Sequence, residues 1–374
     1  MSTTNPPTIP YPSLTALRAA HGELLKAIRE TRNLEATIEP VAEFMSRGVV
    51  TGALIEHEDD RTTAQSMLDY WSAMIYRSGH EPPDTTLAEF DRDADPELDE
   101  SLCPYAGLDS FQEEQHDHFF GRSRLTSFLV EKLKNQRMLA LLGSIGSGKS
   151  SVIRAGLIPA LKSGAIDGSA QWRYLTPITP GSDPLAQLAK IVPHEAELNV
   201  RLTVEPGLFA AAIDTSGDQP AVLLVDQFDE LFTLTADEQA QETFVAALIG
   251  LADLPNARHT VLLTMRSDVE SSIARFPALQ SWFERARVQL LPLGAGELRE
   301  AIEKPAELIG LKFESGLVDK LIEDLLGEPA ALPLLQFTLL ELWERRNRNL
   351  ITWAAYNEVG AGRRALAGVA EQLY

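Results

Sequence analysis

Cysteine is almost absent. Cys103 is the only one in 374 residues, so neither an intramolecular disulfide framework nor a multi-cysteine metal knot can form, and a reducing cytoplasm is the expected location. Long apolar runs are missing as well. No stretch reaches the ~18 uncharged apolar residues that a membrane span requires, and Met1 to Pro12 lacks the basic and apolar regions of an export signal, so no membrane attachment is expected. Positive charge is scarce. The 33 Lys and Arg face 54 Asp and Glu, a net charge of −21 that repels phosphate backbones and anionic lipid, so direct nucleic-acid binding is not expected. No repeat with a period of about 20–50 residues is visible. What remains is ordinary globular matter, 44% hydrophobic and 23% charged, with a length that suits two or three domains of roughly 100–200 residues each.

Along the chain, residues 1–12 read as a disordered tail. From Ser13 the apolar positions recur at helical spacing (Leu14, Leu17, Leu24, Leu25, Ile28, then Met67, Leu68, Trp71, Met74 and Ile75), which predicts a small helical bundle over 13–80. Ser13 and the pair Asp59-Asp60 are placed to cap helices, and Gly48, Gly52 and Gly79 to end them. His21 and His57 have no evident partners, and Tyr70, Trp71 and Tyr76 read as core. Residues 81–102, acidic and proline-bearing, read as a solvated linker. Over 103–293 short apolar runs alternate with helical patterns, the signature of a parallel sheet covered on both faces. Five strands are predicted: Met138–Leu142, Trp172–Ile178, Ala221–Val225, Thr260–Thr264 and Val288–Leu291. From Gly294 the strand signal stops. Helical periodicity fills 294–348, where Arg345, Arg346 and Arg348 read as a solvated helix end, and 349–374 begins a further apolar, helical segment.

The first strong chemical signal follows the first predicted strand. Gly143-Ser144-Ile145-Gly146-Ser147-Gly148-Lys149-Ser150 has the GxxxxGK[ST] spacing between a strand and a helix that continues through Ser151. Glycines let the backbone curl so that successive amides point at phosphate oxygens, aided by the positive end of the helix. Lys149 supplies a mobile cation for the β- and γ-phosphates, and Ser150 a hydroxyl for Mg²⁺.

Such a loop needs a carboxylate at the end of another strand to orient the metal. Ala221-Val-Leu-Leu-Val ends in Asp226, where ligands of open α/β sheets bind. The stretch between Lys149 and Asp226 holds a further strand, so the two motifs are expected on non-adjacent strands. Asp229 and Glu230 follow, and each is either the base that activates water or a cap on the next helix. Arg266 ends the next buried strand at the same edge, where it either contacts the γ-phosphate or lies on the surface. His116 and His118 are too few for a zinc site.

Taken in order, Cys103-Pro-Tyr-Ala-Gly-Leu-Asp-Ser-Phe111, His118-Phe-Phe-Gly-Arg122, the phosphate loop with Arg154-Ala-Gly-Leu-Ile-Pro-Ala-Leu161, Asp226-Gln-Phe-Asp-Glu-Leu-Phe232, Thr264-Met-Arg-Ser-Asp268 and Leu332-Pro-Leu-Leu-Gln336 resemble the novel STAND branch of bacterial signalling NTPases. The resemblance covers about Cys103 to Tyr374. It implies an α/β P-loop NTPase core with a five-stranded parallel sheet and an additional strand between the two motif-bearing strands, then a helical lid and the start of a winged helix. It also implies that Phe120, Gly121 and Arg122 line the adenine pocket, that Arg266 is a sensor arginine, and that Pro333 packs against the base. Gly327-Glu-Pro329 is the alternative match for that proline.

Such proteins bind ATP or ADP with Mg²⁺, hydrolyse slowly, oligomerise when activated and signal through an N-terminal domain, which here is the helical bundle acting as an adaptor for a protein partner. Antiviral defence or programmed cell death is the pathway the resemblance suggests. A nucleotide-locked scaffold with negligible hydrolysis is the alternative. A transporter-type ATPase is disfavoured, because Leu-Ser-Gly-Gly-Gln does not occur between Ser151 and Pro220.

Overall fold

The computed structural model describes residues 8–31, 38–91, 97–192, 202, 205–252, 258–328 and 331–360. The chain forms two compact units, one drawn from Met1–Tyr105, Arg299–Asp324 and Thr338–Tyr374, the other from Ala106–Leu298 and Leu325–Phe337.

The second unit is built on five parallel strands: β1 (Met138–Gly143), β2 (Arg173–Tyr174), β3 (Ala221–Val225), β4 (Thr260–Arg266) and β5 (Arg287–Gln289), in the order β2-β3-β4-β1-β5. Continuous apolar strands form because both faces are covered. Ala140, Leu142, Leu223, Val225 and Leu263 pack with Phe209, Phe228 and Phe244 on one face, while Leu139, Leu141, Val222, Leu224 and Leu262 meet Leu129, Leu133 and Ile153 on the other. Full burial of each such leucine or phenylalanine is worth about 1.5–3 kcal/mol.

β1 and β3 are non-adjacent as expected, but the strand that separates them is β4, which follows Asp226 in the sequence. The strand that lies between the motifs in sequence, β2, is at the outer edge beyond β3. It is shorter than Trp172–Ile178 because Pro177 has no amide to donate, and pairing resumes only at a single bridge from Ile178 to Val225. β5 is shifted toward Arg287, and Leu291 lies past its end, 66% exposed.

In the first unit, helices Leu14–Thr31, Ile38–Thr51 and Glu58–Arg77 surround a core of Leu17, Phe44, Met45, Leu68 and Trp71. Ser13 caps the first, accepting from the Ala16 amide at 3.1 Å. Asp59 and Asp60 instead lie inside the first turn of the third helix, where their charge opposes the positive helix end; His57 holds the cap position and makes no side-chain cap bond. Gly48 does not end a helix. It sits inside one, and a Cβ there would lie 2.5 Å from Leu68 Cδ2, so the residue serves close helix packing.

The acidic stretch is not simply solvated. Ala88 and Asp91 amides donate to the Val49 and Ala53 carbonyls at 2.9 and 3.0 Å, and Arg61 grips the Gly52, Ile55 and Ala88 carbonyls. Of the three aromatic residues read as core, only Trp71 is buried; Tyr70 and Tyr76 are 45% and 74% exposed, because neighbours on a helix diverge by about 100°. Arg346 is not a solvated helix end either. Its side chain is 5% exposed, lies over the Trp343 ring and donates to Leu98 O at 2.8 Å. The region after Gly294 also contains a strand pair, β6 (Lys312–Phe313) parallel to β7 (Leu350–Ile351), too short to leave a periodic signal. The tail to residue 7, Pro329 and the segment after Gly360 lie outside the described residues.

His21 does have a partner. Trp71 Nε1 donates to His21 Nδ1 at 2.8 Å, and the imidazole touches the Phe44, Tyr70 and Trp71 rings. Burial holds its pKa below the usual 6.5, so the unfolded chain takes up the proton first. The stabilisation is complete above about pH 6.5 and is lost as pH falls through the lower folded value. Thermal melts from pH 7.5 to 5 should therefore show a decline that His21→Gln reduces; an unchanged pH slope in that variant would assign the decline elsewhere.

Candidate functional site

β1 delivers the chain at its C-terminal end into the phosphate loop. Gly146 and Gly148 adopt φ of +70° and +88°, which side chains with a Cβ resist, and the helical turns Lys149–Ser151, Val152–Leu157 and Ile158–Lys162 follow. The loop is close-fitted. A Cβ at Gly143 would lie 2.6 Å from Ser147 Oγ, and one at Gly146 would lie 2.6 Å from Pro333 Cγ. Pro333 belongs to the first turn of helix Ala331–Glu344 and thus rests on the phosphate loop itself, with Leu332 beside Gly148.

Lys149 Nζ donates to the Gly143 and Ser144 carbonyls at 3.0 and 2.8 Å. Burial lowers its pKa from 10.5, opposed by the negative charge of Asp229 and Asp226. Ser150 Oγ donates to Asp226 Oδ1 at 2.8 Å, which joins the two motifs across β4. Ser151 turns away: its hydroxyl accepts from the Phe111 amide at 3.2 Å, leaving only its backbone near the loop. Ile145 is exposed.

Asp226 is buried, and two residues to which the sequence assigned no site role hold it. Thr264 Oγ1, on β4, also donates to Oδ1, and Arg154 Nη2 donates to Oδ2 at 2.9 Å. Thr264 carried a legible signal, a hydroxyl at the buried end of an otherwise aliphatic run. The chain then reverses: Gln227, at φ +52°, donates from its amide to Thr264 Oγ1, and Phe228 from its amide to Thr264 O. This reversal brings Asp229 back toward the loop, where its charge acts on Lys149. Asp229 Oδ1 accepts from the Arg266 amide at 3.1 Å and makes no helix-cap bond. Glu230 is partly exposed; burial, together with the charge of Asp229, raises its pKa, against a backbone bond from Gly181. The Arg266 guanidinium forms a two-pronged pair with Asp268.

Phe120, Gly121 and Arg122 lead into helix Ser123–Asn135, with Gly121 at φ +82°. Arg122 is 6% exposed, and its Nε and Nη2 find no hydrogen-bond partner among the described residues. Burial lowers its pKa, partly offset by Glu297. These buried donors suit an anionic or polar ligand. No helix of the described residues is long and apolar enough to cross a membrane, and they contain no group of three His, Cys, Asp or Glu that could hold a metal by themselves.

Among solved structures, the chain is similar to the ORC2 protein of Aeropyrum pernix in its ADPNP–ADP complexes, at 12% identity and TM-score 0.49, covering 72% of each chain. It is similar to Drosophila ORC bound to DNA at 15% identity and TM-score 0.45, covering 78% of this chain and 72% of that one. Domain III of the Thermotoga maritima replication initiation protein DnaA matches at 16% identity and TM-score 0.42, over 62% and 87%. No curated protein matches the chain. The model of one family, Novel STAND NTPase 1, matches residues 104–374. A phosphate loop on β1, an acid at the end of β3 with β4 between them, and this match together place the chain in the Novel STAND NTPase 1 family of P-loop proteins.

Proposed function

We propose that this chain is an ATP-binding, slowly hydrolysing molecular switch that uses Mg²⁺. The observation that carries the proposal is the 2.8 Å bond between Ser150 Oγ and the Asp226 carboxylate, a hydroxyl and an acid from two motifs at the mouth of one curled loop. Hard oxygen donors of this kind suit magnesium, which neutralises developing phosphate charge when bound. The amides from Gly146 to Ser151 and the Lys149 ammonium bind the phosphates, with Gly143, Ser144, Ile145, Ser147 and Gly148 shaping the cradle. Asp229 or Glu230 activates the attacking water: Asp229 accepts from the Arg266 amide and its charge acts on Lys149, while burial raises the Glu230 carboxyl pKa, which suits proton abstraction. Arg266 reads the γ-phosphate after exchanging its Asp268 partner. Phe120, Gly121, Arg122 and Pro333 accept the nucleoside.

The helical bundle recruits a protein partner, and the nucleotide sets the balance between a monomer and an oligomer in the cytoplasm. A ligand moves such a balance only by its differential affinity for the two forms. Phosphate release and light scattering, each measured with ATP, ADP and a non-hydrolysable ATP analogue, test this. Slow release and a larger mass with the analogue than with ADP are expected. Tight nucleotide retention without phosphate release identifies the nucleotide-locked scaffold instead, and equal masses in all three remove the oligomeric switch.

A further inference from the structure

Asp226 holds more donors than the proposed metal site needs. Ser150 Oγ and Thr264 Oγ1 both donate to its Oδ1, and the Arg154 guanidinium occupies Oδ2 at 2.9 Å. The carboxylate is only 4% exposed and the Arg154 side chain 26%, so solvent screens the pair weakly. Arg154 follows Ser150 by four residues, one turn on, within the wide π-helical turn Val152–Leu157. Both residues thereby meet the same acid.

The guanidinium presents its donors in a rigid planar fork. Its other terminal nitrogen, Nη1, donates to Gln112 Oε1 at 2.9 Å, and Gln112 Nε2 is in turn anchored on Ser110 O and Oγ at 2.7 and 2.9 Å. Arg154 therefore bridges Asp226 to the segment that leads into Phe120, Gly121 and Arg122.

We infer that Arg154 is the built-in counter-cation of Asp226, a positioning residue that fixes the carboxylate and deliberately weakens its hold on magnesium. The inference rests on the nucleotide and magnesium reading above. A dication arriving beside Ser150 and Asp226 shares that carboxylate with a fixed guanidinium, and the repulsion raises the magnesium concentration needed to load the site. Purely structural pairing predicts something different. Loss of a scaffold contact lowers the melting temperature and leaves the magnesium requirement where it was.

The test uses the full chain and a fluorescent ATP analogue, first in EDTA and then titrated with Mg²⁺. Arg154→Met keeps the length and removes the charge, and Arg154→Gln serves as a second neutral variant should the first fail to fold. Affinity in EDTA should stay within about twofold of wild type, while the magnesium concentration giving half the full tightening falls by about three- to tenfold in either neutral variant. Arg154→Lys, which keeps the charge, should restore the wild-type midpoint. A midpoint that is unchanged or higher in the neutral variants overturns the inference and leaves the nucleotide reading intact. Wild-type protein that binds no nucleotide overturns both.

Discussion

Replacing Lys149 by alanine is expected to lower nucleotide affinity by roughly 100-fold or more, since two charge-assisted hydrogen bonds to phosphate are worth about 1.5–3 kcal/mol each. The ammonium has two carbonyl partners in its own loop, at Gly143 and Ser144, and so it is poised at the cradle rather than turned to solvent. Its burial has a second consequence. Because burial depresses the lysine pKa, the charged form is held at a cost that offsets the two loop hydrogen bonds lost in the alanine variant, which should therefore melt close to wild type in the absence of nucleotide. Calorimetric titration with ADP and ATP, beside a melting scan, checks both points. Undiminished affinity in a folded variant would falsify the phosphate-loop assignment.

Asp226→Asn is the second large effect and has the opposite profile. Three donors, from Ser150, Thr264 and Arg154, converge on two carboxylate oxygens. An asparagine offers one oxygen and one amino group, so at least one donor is left facing another donor in a nearly closed site. Folding stability should drop by about 1–3 kcal/mol, visible as a melting shift of about 2–4 °C per kcal/mol. Affinity for nucleotide in EDTA should survive, while phosphate release falls by roughly 100-fold or more because metal coordination is lost. Unaltered turnover would move the metal ligand to another carboxylate.

How much of this was readable from the chain follows the distance over which each feature is encoded. The phosphate loop is contiguous, with strand, glycines, lysine and helix in one stretch of residues, and its curled backbone is the one the spacing predicts. Asp226 was visible as the first charge after five apolar residues. Its pairing with its neighbours was not, because the Thr264 hydroxyl, noticeable in an aliphatic run, reaches it only through the insertion of β4 between β1 and β3, and Arg154 only through the phase of a helical turn. Likewise the His21 to Trp71 bond joins residues 50 apart, which no local pattern encodes. The pair β6 and β7 escaped for a different reason: two residues per strand complete only one repeat of the strand alternation, too few to stand out as a pattern. Exposure of Tyr70 beside a buried Trp71 follows from helical geometry, since adjacent helix positions diverge by about 100° and cannot both face one core.

The first helix of the bundle is fastened to residues 299–310. Thr15 Oγ1 donates to a Glu307 carboxylate oxygen at 3.1 Å, Ser13 Oγ to the Glu307 carbonyl, and Gly310 lies so near Pro12 that a Cβ would come within 2.6 Å of its carbonyl oxygen. Those attachments make the amino-terminal helix and residues 299–310 a single lever. A tilt of either end is expected to swing both, so a dye placed at exposed Arg18 should register motion that originates nearly three hundred positions downstream.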